Sequence, residues 1–179
     1  MTSAPIAQQR LLIDLQDLDS HLARLRHERK HLPVLTRIEA VIERLKANKR
    51  AAIRAEAALD EAKKQATRSE DEVGQVAHRA EVLRERLHSG SSAARDLSAI
   101  QGEIDQLGQR QSALEEAQIV AMEALDSARQ EAERLSQEES EIRAAGRELT
   151  AKRDAEFARL DDEIRSEEHT SELQSLAYL

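Results

Sequence analysis

Residues 86–107 read RLHSGSSAARDLSAIQGEIDQL, and this stretch decides the fold. A heptad-patterned segment reaches Leu87, the pattern stops over residues 88–92, and a second patterned segment begins at about Ala94. Repeats of this kind predict α-helices. The stretch therefore predicts a turn between two long helices, with its tip at about residues 88–94.

The turn itself has suitable chemistry in the run Ser89, Gly90, Ser91 and Ser92. Glycine adopts the left-handed conformation that ends many helices, and a serine hydroxyl caps the start of the next one. Asp96 follows in the first turn of that next helix, where the helix dipole favours negative charge. These residues predict a hairpin turn.

An apolar seam with alternating spacings of three and four residues runs on each side of the turn. Thirteen of the fifteen outgoing positions and eleven of the fourteen returning positions are apolar. The outgoing positions are Ile38, Val41, Leu45, Asn48, Ala52, Ala55, Leu59, Ala62, Ala66, Ser69, Val73, Val76, Ala80, Leu83 and Leu87. The returning positions are Leu97, Ile100, Ile104, Leu107, Gln111, Leu114, Gln118, Ala121, Leu125, Ala128, Ala132, Leu135, Glu139 and Ile142. Such seams predict an all-α fold, a long antiparallel coiled-coil hairpin.

The position of the turn also predicts the register of the hairpin. With a midpoint near residues 91–92, opposed residues have numbers that sum to about 183. The rule predicts the neighbours Leu83–Ile100, Leu59–Leu125, Ile42–Ile142, Leu32–Ala151 and Leu25–Ala158, and it places Leu11 beside residue 172.

The first 32 residues carry a separate leucine stripe that extends from Leu11 to Leu32. Ser3 and Pro5 suit the start of a helix. Pro33 interrupts the stripe, because proline lacks an amide donor and disfavours helical geometry in the preceding residue. We therefore predict an N-terminal amphipathic helix over 1–32, kinked at Pro33, and a hairpin over 34–164.

Composition excludes several classes of protein. The chain has one Phe, one Tyr, no Trp and no Cys, while 35% of its residues are charged. Aromatic side chains supply much of the area of a globular core, so a compact core is not expected. Without cysteine there are no disulfides and no thiolate metal sites. No apolar run resembles a signal peptide or a membrane span, and we expect a cytoplasmic protein without membrane contact.

Charge differs between the two predicted arms. Residues 33–87 carry a net charge of +2, whereas residues 88–164 carry −9. Opposite signs favour pairing of the two arms with each other. Solvated faces with no role in pairing are the alternative.

Residues 165–175, RSEEHTSELQS, break the seam and change the composition. All eleven residues match the in-frame translation of a widely used sequencing-library adapter. We therefore predict that residues 165–179 are not native, and we exclude them from arguments about function, as for a fusion scar.

Several short motifs resemble the bacterial coiled-coil hairpin proteins that end in a C4-type zinc ribbon. Beyond the turn these are Arg95-Asp96-Leu97, Ile100-Gln101, Glu103-Ile104, Arg110-Gln111, Leu114-Glu115 and Met122-Glu123. Near the start they are Gln9-Arg10-Leu11-Leu12, Leu15-Gln16, Leu18-Asp19 and Leu32-Pro33. The resemblance covers residues 8–164, with Arg95 in a place where lysine is expected.

The resemblance implies a hairpin that acts as a rigid spacer and a ribbon that binds zinc and contacts protein or nucleic acid. The paired Cys-x-x-Cys motifs of the ribbon are absent from this sequence. Only the spacer half is therefore expected here, with no metal ligand and no cofactor in this chain.

Among candidate contact residues, those at the tip are the most informative: Arg86, His88, Arg95 and Asp96. A single acidic residue does not match the acidic pair with which transcript-cleavage factors hold a metal at a hairpin tip. We interpret these residues as a surface for contact with a protein.

Two other groups of residues are weaker candidates. His27 and His31 lie one helical turn apart but lack a third ligand, so a solvated face is favoured over a metal site. The basic residues Lys46, Lys49, Arg50 and Arg54 have no aromatic partners for stacking on bases and are weak evidence for nucleic-acid binding.

The sequence leads to two hypotheses and gives no evidence for an enzyme. In the first, the chain is a non-enzymatic spacer or protein-interaction module. In the second, it is a nucleic-acid- or transcription-associated adaptor whose binding element is the missing ribbon. An uncovered stripe over residues 11–22 can also drive the pairing of two copies.

Overall fold

The computed structural model describes residues 6–89 and 94–176. It contains three helices, α1 (Ile6–Lys30), α2 (Pro33–His88) and α3 (Ala94–Leu176), and no strand in these ranges. Helices α2 and α3 pack antiparallel as a hairpin. The predicted all-α coiled-coil hairpin is confirmed. The predicted cap, Ser3 and Pro5, lies outside the described residues.

The seams are where the heptad pattern places them. All fifteen outgoing positions in α2 and all fourteen returning positions in α3 are buried or half-buried. The buried members include Ala55, Val76 and Ala80 in α2, and Ile104 and Leu135 in α3. Many of them are small, which allows the two backbones to approach closely.

The chain breaks between α1 and α2 at His31 and Leu32, as the proline predicts. The His31 amide donates to the carbonyls of both His27 and Glu28, a shared bond typical of helix ends. Pro33 is the first residue of α2, where its missing N–H costs nothing. Leu32 itself is buried and stabilises the connection between α1 and α2.

The chain forms two compact units. One, here the terminal unit, comprises Met1–Lys46 and Ser140–Leu179. The other, here the turn unit, comprises Ala47–Glu139.

In the turn unit, two contacts between the helices fix the register. The Asn48 side-chain amide donates to the Leu135 carbonyl at 3.3 Å. The Arg79 guanidinium pairs with the Glu103 carboxylate across the helices, with Nε donating to Oε1 at 3.1 Å. Both pairs agree with the predicted sum of about 183.

In the terminal unit, α1 packs on α3 in a different register. Leu25 and Leu32 cluster with Leu160, flanked by Phe157 and Ile164. The predicted neighbours of the two leucines, Ala158 and Ala151, are exposed, so that part of the prediction is wrong.

The physical reason for this correction is the break at His31–Leu32. The prediction assumed a constant helical rise along the outgoing chain. Non-helical residues span more length than helical ones, whereas α3 stays helical through the same level. Each residue of α1 therefore lies opposite a residue of α3 that comes later in the chain than the predicted sum places it. The ion pair Arg29–Asp161 shows the shifted register directly.

Helix α3 does not end where the seam was predicted to stop. It continues through residues 165–176, and Glu168 of this segment forms an ion pair with Arg26 at 2.6 Å. Within the described ranges, no helix carries an apolar stretch long enough to cross a membrane.

Candidate interaction surfaces

At the tip, the described polar groups close the end of α2. His88 Nδ1 donates to the Arg84 carbonyl at 2.7 Å, and the Ser89 hydroxyl donates to the Arg86 carbonyl at 2.9 Å. The Ser89 amide donates to the Glu85 carbonyl at 3.0 Å. These bonds satisfy the last carbonyls of the helix.

The remaining predicted tip residues are only partly described. The Arg86 and Asp96 side chains are exposed, and Asp96 lies in the first turn of α3 as predicted. Gly90, Ser91 and Ser92 lie outside the described residues, as does the side chain of Arg95. A contact surface at the tip stays a prediction.

The histidines of α1 form a stacked pair. The rings of His27 and His31 lie 4.0 Å apart, and His31 Nδ1 donates to the His27 carbonyl at 2.8 Å. Across residues 6–89 and 94–176, no group of three or more His, Cys, Asp or Glu side chains could hold a metal ion.

The carboxylates with shifted pKa values do not resemble catalytic acids. A hydrogen bond from Arg134 lowers the pKa of Glu131, and one from Arg29 lowers the pKa of Asp161. General acid catalysis at neutral pH requires a shift in the opposite direction. Both carboxylates stabilise surface ion pairs.

The basic cluster of α2 is exposed. Lys46 forms an ion pair with Glu43 of the same helix at 2.7 Å, and Lys49, Arg50 and Arg54 face solvent. Exposed pairs of this kind are typical of a solvated helix face. The cluster therefore adds no geometric evidence for nucleic-acid binding.

A concave surface lies in the terminal unit, between the start of α2 and α3. We call it the Gly146 groove, and its volume is about 610 Å³. Six residues form its apolar floor: Ile38, Val41, Ile42, Leu45, Ile142 and Gly146.

Glycine creates part of this groove. A Cβ at residue 146 would lie 3.4 Å from Val41 Cγ1, so any larger side chain would occupy the space between the helices. The Thr150 hydroxyl also lines the groove and donates to the Gly146 carbonyl at 2.8 Å. That bond satisfies its polar group and leaves its methyl group for apolar contact.

The α3 wall of the groove carries three arginines, Arg143, Arg147 and Arg153, and one acidic residue, Asp154. Asp154 accepts hydrogen bonds from Arg153. Among the described side chains, none forms an ion pair or hydrogen bond with Arg147. The lining is therefore apolar below and positively charged along one side.

Sequence reasoning missed this groove. The sequence holds two signals for it: Ile42 is an apolar residue one position outside the seam, and Gly146 continues the returning repeat where a larger residue is expected. Neither signal shows a concave surface until the two helices are placed side by side.

Comparison with known proteins places this geometry in context. The family model described as CT398-like coiled coil hairpin domain matches residues 15–177. A solved structure of a protein from Mycobacterium smegmatis superimposes with a TM-score of 0.77 at 25% identity, covering 98% of this chain and 73% of the other.

Two curated relatives come from Mycobacterium tuberculosis. They are Uncharacterized protein Rv2229c of strain H37Rv and Uncharacterized protein MT2288 of strain CDC 1551. Each is 38% identical over 122 residues, which cover 67% of this chain and 49% of the relative. The chain thus spans about half the length of the curated relatives it matches.

Proposed function

Because the chain belongs to the CT398-like coiled coil hairpin domain family, we propose that it is a non-enzymatic spacer or protein-interaction module of the cytoplasm. The observation that carries the proposal is the continuous seam. All twenty-nine predicted seam positions are buried or half-buried, so the paired helices form a scaffold that presents side chains on its outer faces.

The surface chemistry supports binding rather than catalysis. Carboxylates with lowered pKa values pair with arginines, and the Gly146 groove has an apolar floor with guanidinium groups on its wall. Apolar floors with charged rims are typical of surfaces that bind other proteins.

The alternative is an adaptor for nucleic acid or transcription in which a C-terminal zinc ribbon does the binding. The length of the relatives favours it, because about half of each relative lies outside the matched region. The zinc would be bound by cysteines of that ribbon, which this chain does not contain.

Site-specific photocrosslinking in the native host cells tests the proposal. A photoreactive phenylalanine analogue is placed in the full chain at exposed positions of each unit, for example Arg147, Arg86 and Arg129. We expect a discrete protein adduct that depends on ultraviolet light from at least one position. No protein adduct from any position would contradict an interaction role.

An RNA-binding titration tests whether the helices of this chain contact nucleic acid themselves, independently of a ribbon. If the helices themselves contact RNA, the chain binds labelled RNA with an affinity that falls steeply as salt rises. We expect no such binding by this chain. Salt-dependent binding would favour the nucleic-acid function instead.

A further inference from the structure

We propose that the Gly146 groove binds an amphipathic helix of a partner protein, one with acidic residues along one edge. This inference rests on the proposed interaction role and specifies the partner chemistry. Its support comes from the shape, the floor and the charge of the groove.

The shape suits a helix. The lining spans thirteen residues of α3, from Ile142 to Asp154, and the two ends lie about 18 Å apart along the helix axis. The groove runs between two antiparallel helices and is open on one side. A third helix can therefore lie along it and complete a local three-helix bundle.

The floor supplies the apolar contacts that such a helix requires. Ile38, Ile42 and Leu45 of α2 face Ile142 of α3 across the groove, and residue 146 leaves space between them because it lacks a Cβ. Helices that bind in grooves insert apolar side chains at spacings of three and four residues. Ile42, 46% exposed, is the floor residue with the most surface left to bury.

The positive charge of the groove determines which residues the partner helix should carry along its edge. Three arginines line the groove: Arg153 is bonded to Asp154, Arg143 has an interaction of its own, and Arg147 forms no ion pair with any described side chain, so Arg147 is the guanidinium available to a partner. This positive charge is local, since residues 88–164 are strongly acidic as a whole. A partner helix with glutamates beside Arg147 meets complementary charge, and one with lysines there is repelled.

Two synthetic peptides test this inference against the full chain. Each is an amphipathic helix of about 21 residues, long enough to remain helical in the groove. One carries glutamates on both edges of its leucine face, and the other carries lysines at the same positions. Binding is followed by fluorescence anisotropy at low salt.

We expect the acidic peptide to bind at least about tenfold more tightly than the basic one, and its affinity to fall as salt rises. Arg147→Glu should weaken the acidic peptide about fivefold and strengthen the basic one. Ile42→Ser should weaken both peptides, because it removes apolar area from the floor.

Matched controls lie on the same helices in the turn unit. Arg129→Glu changes an exposed arginine of α3, and Ile53→Ser changes an isoleucine of α2 that is 67% exposed. Neither lines the groove, and neither should change binding. Circular dichroism spectra of all four variants verify that the helices are retained.

Three outcomes would overturn the inference: equal binding of both peptides, no binding of either, or binding that Arg147→Glu leaves unchanged. Sedimentation provides a fourth, since dimers of the chain that Ile42→Ser dissociates would identify a second copy as the occupant. If the peptide experiment refutes binding in the groove, protein photocrosslinks from positions outside the groove would still support the proposed interaction role.

Discussion

Asn48 shows how a single polar residue sets the alignment of two apolar helices. Its side chain is 5% exposed, its amide nitrogen donates to the Leu135 carbonyl, and its Oδ1 accepts no hydrogen bond from the described residues. A buried, half-satisfied amide costs stability. A shifted register would break the hydrogen bond to Leu135 and leave the buried amide without a partner, so Asn48 disfavours such registers.

Replacing Asn48 with leucine should therefore stabilise the chain and loosen its alignment. We expect the free energy of unfolding in urea to rise by about 1 kcal/mol, since the desolvated amide is removed. Sedimentation velocity should show additional associated species. As a control, Ser69→Ala changes another buried seam residue and should leave the sedimentation profile unchanged. A destabilised, monomeric Asn48→Leu variant would contradict this account.

Asp161 gives the terminal unit a dependence on pH. Arg29 lies 4.4 Å from the centre of the Phe157 ring and bonds Asp161, whose pKa it lowers below the ordinary value of 3.8. A carboxylate with a lowered folded-state pKa adds stability above its unfolded-state pKa and loses it as pH falls through the folded-state value. The contribution is thus present at neutral pH and lost in strong acid.

Asp161→Asn should lower the urea midpoint more at pH 7 than in strong acid, because protonation of the carboxylate below its lowered pKa removes the attraction to Arg29. Urea titrations of both proteins across this range measure the effect. Glu116→Gln removes one exposed carboxylate of α3 and serves as the matched control. An equal difference between parent and Asp161→Asn at both pH values would show that the ion pair contributes nothing.

At the scale of the elements, the seams were predictable because burial in a coiled coil follows the helical repeat alone. The break at Leu32 was equally predictable, because proline acts on its own neighbours. The pairing of α1 with α3 could not be predicted, since it depends on the length that the non-helical residues His31 and Leu32 span between α1 and α2. The Gly146 groove escaped prediction for a similar reason: Val41 and Gly146 are remote in sequence and meet only across the hairpin.

The hairpin pairing can be tested within a single molecule, and the absence of natural cysteines makes the test clean. Cysteines at Leu59 and Leu125 should be joined within one molecule by a short bismaleimide, because the register from Asn48–Leu135 makes them neighbours. Leu59 combined with Leu107 is the mismatched control, displaced by about 27 Å along the helix. Links formed only between two molecules would refute the intramolecular hairpin.

At the scale of the whole molecule, the terminal unit contains the segment that we predict to be non-native. Glu168, Ser171 and Glu172 lie beside Leu22 and Arg26 of α1. The cluster of Leu25, Leu32 and Leu160 reaches only to Ile164 and lies before the segment begins. Residues 167–172 therefore lie beside residues 14–26 of α1, whereas the leucine cluster of the unit is formed by residues that precede the segment.

A chain that ends at Ile164 should accordingly lose protection only in part. Hydrogen exchange is expected to accelerate over residues 9–22 of α1, because Leu22 loses its cover, and to remain unchanged over residues 47–88 of the turn unit. Arg26→Ala in the full chain separates loss of the ion pair from loss of the cover over Leu22. The pair of Arg26 with Glu168 is about half exposed, so its loss alone should change exchange little. Acceleration throughout residues 47–88 would mean that residues 165–179 support the hairpin itself, and would contradict this prediction.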